Sequence, residues 1–343
     1  MTTLLEARQV RKVFFSGGRI FGRKKRVTVA LEQASLVIRG DKPSITAIAG
    51  ESGSGKTTLS RLLLGLIQPT SGEIRYKGQE LGQMDKKTWR KLRQEVQAVF
   101  QDPFAVYNPF YKVDHALTAP IASFRPDLSK AEARDLIENA LREVGLRPEE
   151  TLGRYAHQLS GGQRQRIMIA RALLLRPSII VADEPVSMVD ASLRATILES
   201  LLKVHQELGI SLVYITHDLT TAYQVSQTIL MLYQGSMVEV GSVDLVIKDP
   251  RHPYTQLLVR SIPLPNPKRR WGEEVVEVEA REKPIAQNKG CKFAGRCPYV
   301  MPVCHDSPPP LYATDHNRAV ACYLYRDFPP LAEDELMALY SAG

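Results

Sequence analysis

The stretch Gly50-Glu51-Ser52-Gly53-Ser54-Gly55-Lys56-Thr57 satisfies Gly-x-x-x-x-Gly-Lys-Ser/Thr at every required position. Glycines let a backbone wrap a phosphate with its N–H groups pointing inward, where a Cβ would obstruct. The run before it, Ser44 to Gly50, reads as a buried strand, and Thr57 to Leu66 has the apolar spacing of a helix. A helix starting there adds the positive end of its dipole to the phosphate site. Lys56 is placed to reach the β- and γ-phosphates, and the Thr57 hydroxyl to ligate Mg2+. Gly50, Ser52, Gly53, Ser54, Gly55, Lys56, Thr57 and Thr58 are therefore the candidate nucleotide-binding residues. A chance glycine-rich turn is the bland alternative, and the flanking strand and helix argue against it.

Two further strands end in polar residues. Ile179-Ile-Val-Ala-Asp183 is a continuous apolar run, as suits a parallel strand covered on both faces. In such sheets ligands sit beyond the carboxyl ends of the strands. Asp183 emerges there as a candidate Mg2+ holder, acting through water; a simple Asp-Glu-Pro strand-end turn is the alternative, and the phosphate-binding loop upstream makes it the weaker one. Glu184 follows as the group to polarise the attacking water. His217 ends the strand Ser211 to Thr216 at the same sheet edge, which favours a γ-phosphate contact over a purely structural histidine. Leu159-Ser160-Gly161-Gly162-Gln163 precedes a helical run, Arg164 to Leu175, with Ser160 as its N-cap. It is a second phosphate-binding device in one chain.

Length and composition agree with a globular α/β protein. The chain has 343 residues, enough for about two domains, and is 44% hydrophobic and 24% charged, unlike a disordered chain. No run of about 18 apolar residues occurs, and Met1 to Arg8 lacks the pattern of a secretory signal. The net charge of +8 permits nucleic acid, anionic ligands or a membrane surface as partners. Eight basic residues fall between Arg8 and Arg26, read first as a solvated loop. Helical stretches at Lys86 to Gln94 and Lys130 to Val144 suggest a helical insertion, the subdomain spanning about 86–175. Ile229 to Tyr233 and Met237 to Val240 form a predicted hairpin around Gln234-Gly235. Prolines cluster after about Pro250, so residues 1–250 are expected to form one domain and 251–343 a loop-rich module.

The order phosphate-binding loop, Gln101, LSGGQ, Asp183-Glu184, Asp190 and His217 resembles the ATP-binding subunits of ABC transporters over about residues 5–250. The resemblance implies an α/β P-loop NTPase with a helical subdomain. It also implies head-to-tail pairing, each ATP lying between one phosphate-binding loop and the partner's LSGGQ. Ser160, Gly161, Gly162 and Gln163 then meet the nucleotide of the other subunit. Gln101 matches the residue that senses Mg2+ and the transmembrane partner, and Asp190 the dimer seam. Phe14 is the best match for the aromatic that stacks on adenine, with Phe15 the alternative. Lys56, Gln101, Glu184 and His217 are the expected catalytic set. The implied partners are two transmembrane permease subunits, a second ATPase subunit (a paralogue in preference to a copy) and, indirectly, an extracytoplasmic solute-binding protein. Nucleic acid is not expected, and the chain is placed at the cytoplasmic face of the membrane.

Arg251-His-Pro-Tyr-Thr255, followed by Leu257-Leu258, resembles the extension on ATPases of oligopeptide and dipeptide importers. So does the tract Cys291-x5-Cys297-x6-Cys304-x17-Cys322; the first 290 residues hold no cysteine. The resemblance implies a [4Fe-4S] cluster on these thiolates. The spacing is loose for zinc and misses the ferredoxin patterns, so a cluster, Zn2+ and unmetallated thiols stay open. His305 is read as a polar neighbour.

Two other functions compete. A soluble ABC ATPase acting on nucleic acid or ribosomes is permitted by the charge. The spacing of about 125 residues between the two nucleotide motifs, without sustained heptads, argues against its coiled-coil members. A non-catalytic nucleotide-binding subunit is disfavoured by the intact Glu184. Peptide, oligosaccharide and nickel cargo are not distinguishable from the sequence.

Overall fold

The computed structural model describes residues 3–16, 26–102, 107–262 and 289–340. Its strands are β1 (Thr3–Ser16), β2 (Arg26–Arg39), β3 (Ile45–Ala49), β4 (Ser71–Tyr76), β5 (Gln79–Glu80), β6 (Val96–Val99), β7 (Ile179–Asp183), β8 (Ser211–Thr216), β9 (Thr228–Tyr233), β10 (Ser236–Ser242), β11 (Tyr312–Asp315) and β12 (Arg318–Val320). They form one sheet in the order β5-β4-β1-β2-β10-β9-β3-β8-β7-β6, with β12 attached to β10 and β11 to β12.

The centre of this sheet is parallel: β9, β3, β8, β7 and β6 run side by side in one direction. Strands β3, β7, β8 and β9 are buried at every position. Side chains alternate across a strand, and both faces are covered. Ile45, Ala47 and Ala49 join one core with Ile180, Ala182, Leu212 and Tyr214. Ile48 joins the other with Val181, Val213 and Ile215. That is why these strands carry unbroken apolar runs. Parallel strands leave their carboxyl ends together at one edge, where Gly50, Glu184 and His217 emerge.

Helices follow most of these strands. Lys56–Leu63 starts at the glycine-rich turn, Ala191–Leu208 links β7 to β8, and Leu219–Val225 links β8 to β9. Between β6 and β7 the chain forms the helices Val113–Phe124, Lys130–Glu143 and Gly161–Leu173. The 130–143 helix begins with a full capping box, Ser129 with Glu132.

The N-terminal part is antiparallel. The 14-residue strands β1 and β2 pair along their length, β4 lies on the other side of β1, and Ser236 of β10 meets Glu32 of β2. The C-terminal residues extend both cores. Phe293 is buried beneath Tyr233 and Tyr254 on one face, while Leu336, Leu339 and Tyr340 pack on the other. Strand β12 pairs Glu239–Gly241 of β10 with Val320–Arg318. Among the described residues no helix is long and apolar enough to cross a membrane.

Candidate functional site

Strand β3 delivers the chain into the turn Gly50–Gly55. Gly55 sits at φ +106°, and a Cβ there would lie 2.5 Å from the Ala30 carbonyl oxygen. Only glycine fits. The Lys56 ammonium is buried and donates to the carbonyl oxygens of Gly50 (2.7 Å) and Glu51 (2.9 Å). Burial lowers its pKa, against the opposing pull of Glu184, Asp183 and Glu51. Such a cation is well set to meet phosphate oxygens. Ser54 is buried with its hydroxyl unpartnered, whereas Ser52, Gly53 and Thr57 are exposed and Thr58 is half-buried.

Asp183, at the end of the neighbouring strand but one, is buried. Its Oδ2 accepts from Ser60 at 3.4 Å, while Oδ1 has no partner. Burial, then the charge of Glu184, push its carboxyl up. An orphaned buried carboxylate oxygen whose neighbours include the Thr57 hydroxyl is an arrangement that Mg2+ would relieve, so these residues fit that ion.

Glu184 adopts φ +47°, a rare conformation for a side-chain-bearing residue, with its N–H donating to the Ile215 carbonyl at 2.9 Å. That backbone turns the carboxylate between two other predicted residues. Gln101 Nε2 donates to Oε2 at 2.9 Å, and His217 Nδ1 lies 3.0 Å from Oε1. Three side chains distant in sequence thus meet beside the phosphate-binding turn.

The LSGGQ segment is built as a helix start. The Gln163 N–H donates to Ser160 Oγ (3.2 Å), and the Ser160 N–H donates to Gln163 Oε1 (2.9 Å). Gly162 lies under Leu193, where a Cβ would come within 2.9 Å of a methyl carbon, and Gly161 faces the Met188 carbonyl. Ser160 is exposed, so the segment's polar end faces outward. Asp190 precedes the Ala191–Leu208 helix and is also exposed. Phe14 and Phe15 are exposed on β1, with Lys12 Nζ 5.3 Å from the Phe14 ring centre. Of the basic run, residues 19, 23, 24 and 25 lie outside the described residues; Arg11 pairs with Glu32.

The cysteine tract departs from expectation. Among the described residues no group of three or more His, Cys, Asp or Glu side chains is arranged to hold a metal ion, so the expected four-thiolate ligand set is not formed. The four thiols nevertheless share one region. The Cys291 N–H donates to the Cys304 carbonyl at 2.8 Å, and each of the other three thiols bears on Cys322 electrostatically. Burial pushes the Cys297 thiol up to about 11 and Cys322 up to about 12, with neighbouring cysteines adding to both. Burial and the neighbouring cysteines thus disfavour the thiolate at Cys291, Cys297 and Cys322, a cost that a bound cation would offset.

Sequence reasoning missed what surrounds Glu51. Its N–H donates to Tyr254 Oη at 2.7 Å, and its carboxylate forms a bidentate pair with Arg296 at 3.0 and 3.1 Å. Tyr254 belongs to the His-Pro-Tyr motif, which carried a signal; Arg296 carried none.

The ABC transporter family matches residues 31–187, and the oligopeptide/dipeptide transporter C-terminal region matches 238–304. The chain is 38% identical to the oligopeptide transport ATP-binding protein OppF of Salmonella typhimurium over 276 residues, 80% of this chain and 82% of that protein. It is 36% identical to the oligopeptide transport ATP-binding protein AppF of Bacillus subtilis, over 94% of this chain and 98% of the relative. A dimeric ATP-binding cassette in a post-hydrolysis state, bound to ADP and Pi, superposes with a TM-score of 0.60 at 27% identity, covering 70% of this chain and 99% of that one. With its nucleotide motifs on a parallel sheet edge and its matched C-terminal region, the chain belongs to the ATP-binding subunits of ABC transporters, in the oligopeptide/dipeptide importer branch.

Proposed function

We propose that this chain hydrolyses ATP to energise import of peptides, or a related solute, through a membrane permease to which it binds at the cytoplasmic face. The observation that carries this reading is Glu184, held between Gln101 and His217 beside the phosphate-binding turn. The carboxylate accepts a proton from the attacking water as it approaches the γ-phosphate. His217 contacts the γ-phosphate, and Lys56 exchanges its carbonyl partners for β- and γ-phosphate oxygens. Mg2+ offsets phosphate charge when bound, held through Thr57 and Asp183, with Gln101 alongside. Phe14 stacks on adenine.

The exposed Ser160 end of LSGGQ needs an opposing subunit, and the dimeric state of the cassette bound to ADP and Pi supports such pairing. Ser160, Gly161, Gly162 and Gln163 then close over the partner's nucleotide. Closure and reopening drive two permease subunits between their inward- and outward-facing states, with Gln101 near their contact. A paralogue is the proposed second ATPase, and a solute-binding protein delivers the cargo. The names of the relatives support peptides. No observation favours the nucleic-acid reading.

The C-terminal thiols Cys291, Cys297, Cys304 and Cys322, which share one region without forming a ligand set on their own, are proposed to close around a [4Fe-4S] cluster when it binds, a reading supported by their soft donor chemistry. Elemental analysis of anaerobically purified protein tests this: about four iron atoms per chain are expected. Zinc, or no metal, would reject it.

The reading as a whole is tested by reconstituting the chain with its permease. Peptide-stimulated ATP hydrolysis is expected, and Glu184→Gln should abolish it while ATP binding persists. Turnover unchanged by Glu184→Gln would remove the assigned base.

A further inference from the structure

We propose that Arg296 is a positioning residue for the ATP site, acting through Glu51 so that the C-terminal module sets the affinity of the phosphate-binding loop for nucleotide. The proposal deepens the reading of Gly50–Thr57 as that site and rests on it.

Glu51 is the second residue of the loop, and the C-terminal residues hold it from two sides. Tyr254 Oη accepts its backbone N–H at 2.7 Å. Arg296 holds both carboxylate oxygens, at 3.0 and 3.1 Å. Glu51's own carbonyl oxygen accepts from Lys56 Nζ and from the Ser54 N–H. Any movement of Glu51 therefore moves the partners of the lysine that meets phosphate. Arg296 is itself braced, its guanidinium lying 5.8 Å from the Tyr233 ring centre and 5.6 Å from that of Phe293.

A second tie runs from the same short segment. Lys292 Nζ donates to the Gln234 carbonyl at 3.1 Å and pairs with Glu32 at 3.2 Å. The next residue, Gly235, donates its N–H to the Ser54 carbonyl at 2.8 Å. Lys292 and Arg296 lie between Cys291 and Cys297, so one seven-residue segment grips the loop at both Glu51 and, through Gly235, Ser54.

The Arg296–Glu51 pair is about one-third exposed on each side, which limits its strength. Its bidentate geometry raises it above an ordinary surface pair. Loss should weaken ATP binding by about fivefold, and not by orders of magnitude.

The test measures ATP affinity with a fluorescent nucleotide, together with KM and kcat, on the full chain in its transporter complex. Arg296→Gln is expected to raise Kd and KM by about fivefold, with kcat within about twofold because the Glu184 carboxylate is untouched. Glu51→Gln should match it, and the double variant should be no weaker than either single. Arg296→Lys should recover part of the affinity. Exposed Arg147→Gln is the control and should change nothing. If Arg296→Gln fails to fold, Tyr254→Phe removes the acceptor of the Glu51 N–H, the other hold on that residue, and should also raise KM; an unchanged KM there would overturn the proposal.

Wild-type Kd in folded Arg296→Gln, or full additivity in the double variant, would overturn the proposal. Lys56→Ala separates the two levels. Loss of ATP binding in Lys56→Ala beside normal binding in Arg296→Gln rejects the positioning role alone. Undiminished ATP binding in Lys56→Ala rejects the site itself.

Discussion

Replacing Gly55 with alanine should damage the phosphate-binding turn far more than the same change at Gly53, two residues earlier. Both glycines have positive φ, +106° at Gly55 and +79° at Gly53. An L-residue held in such a region costs on the order of 1–3 kcal/mol. At Gly53 that is the whole cost, because a Cβ there has nothing within 4 Å. At Gly55 the Cβ would meet the Ala30 carbonyl oxygen at 2.5 Å and Leu31 Cδ2 at 2.9 Å. Neither neighbour yields easily: one is backbone within β2, and Leu31 is fully buried. Relieving that overlap adds about 1–3 kcal/mol. The turn can absorb it by shifting away from β2, which moves Lys56, or the fold can absorb it as lost stability. Denaturant unfolding and ATP affinity should therefore be measured on both variants and the two losses combined. Gly55→Ala should exceed Gly53→Ala by at least about 1 kcal/mol, a factor of roughly five in a binding constant. Equal losses would refute the packing argument.

Glu184→Gln should lower hydrolysis at least about a hundredfold, as loss of a general base does, while ATP binding stays within a few-fold; equal loss of both would mean a structural residue. Glu239 is fully buried, and its carboxylate accepts the N–H groups of Arg251 and His252 at 3.0 and 2.9 Å. Burial pushes its pKa up to about 7 from an ordinary 4.5. Its folded pKa lies above the unfolded one, so the folded state holds the proton longer. Stability should thus fall as pH rises from about 4.5 to about 7, by up to about 3 kcal/mol, and Glu239→Gln should remove that slope in unfolding curves recorded between pH 5 and 8. Arg318 is buried, pairing with Asp315 and donating to the Leu245 carbonyl at 3.1 Å. Arg318→Met should cost about 3 kcal/mol by leaving those acceptors unpaired, and a loss below about 1 kcal/mol in denaturant unfolding would contradict this.

The central strands were legible because burial on both faces requires an unbroken apolar run. Ile179–Asp183 and Ser211–Thr216 have the bounds read from sequence. The Gly161–Leu173 helix begins after Ser160, where a capping residue precedes the apolar spacing. The N-terminal antiparallel strands leave no such pattern in the sequence. Charges interrupt β1 at Glu6, Arg8, Arg11 and Lys12, and positive φ at Gln9 and Gln33 breaks the two-residue alternation. Also hidden was the pairing of β12 with β10, because three residues of strand carry no local signature. The site divides in the same way. Lys56, Asp183, Glu184 and His217 stand at the helix start and strand ends where the sequence pattern puts them. Arg296 was not, because its partner Glu51 stands 245 residues away and chain separation leaves no periodic trace. The cysteines were legible by composition, but how close the four thiols come depends on the packing of a loop-rich segment, which spacing does not encode.

In the proposed function one chain carries only half of each hydrolytic centre. Specific ATPase activity should be measured against protein concentration, with sedimentation reporting the oligomeric state in the same samples. Activity per chain should rise as chains pair, or on adding the second ATPase subunit, and vanish where only monomers are present. Constant activity per chain down to fully monomeric dilution would contradict the account.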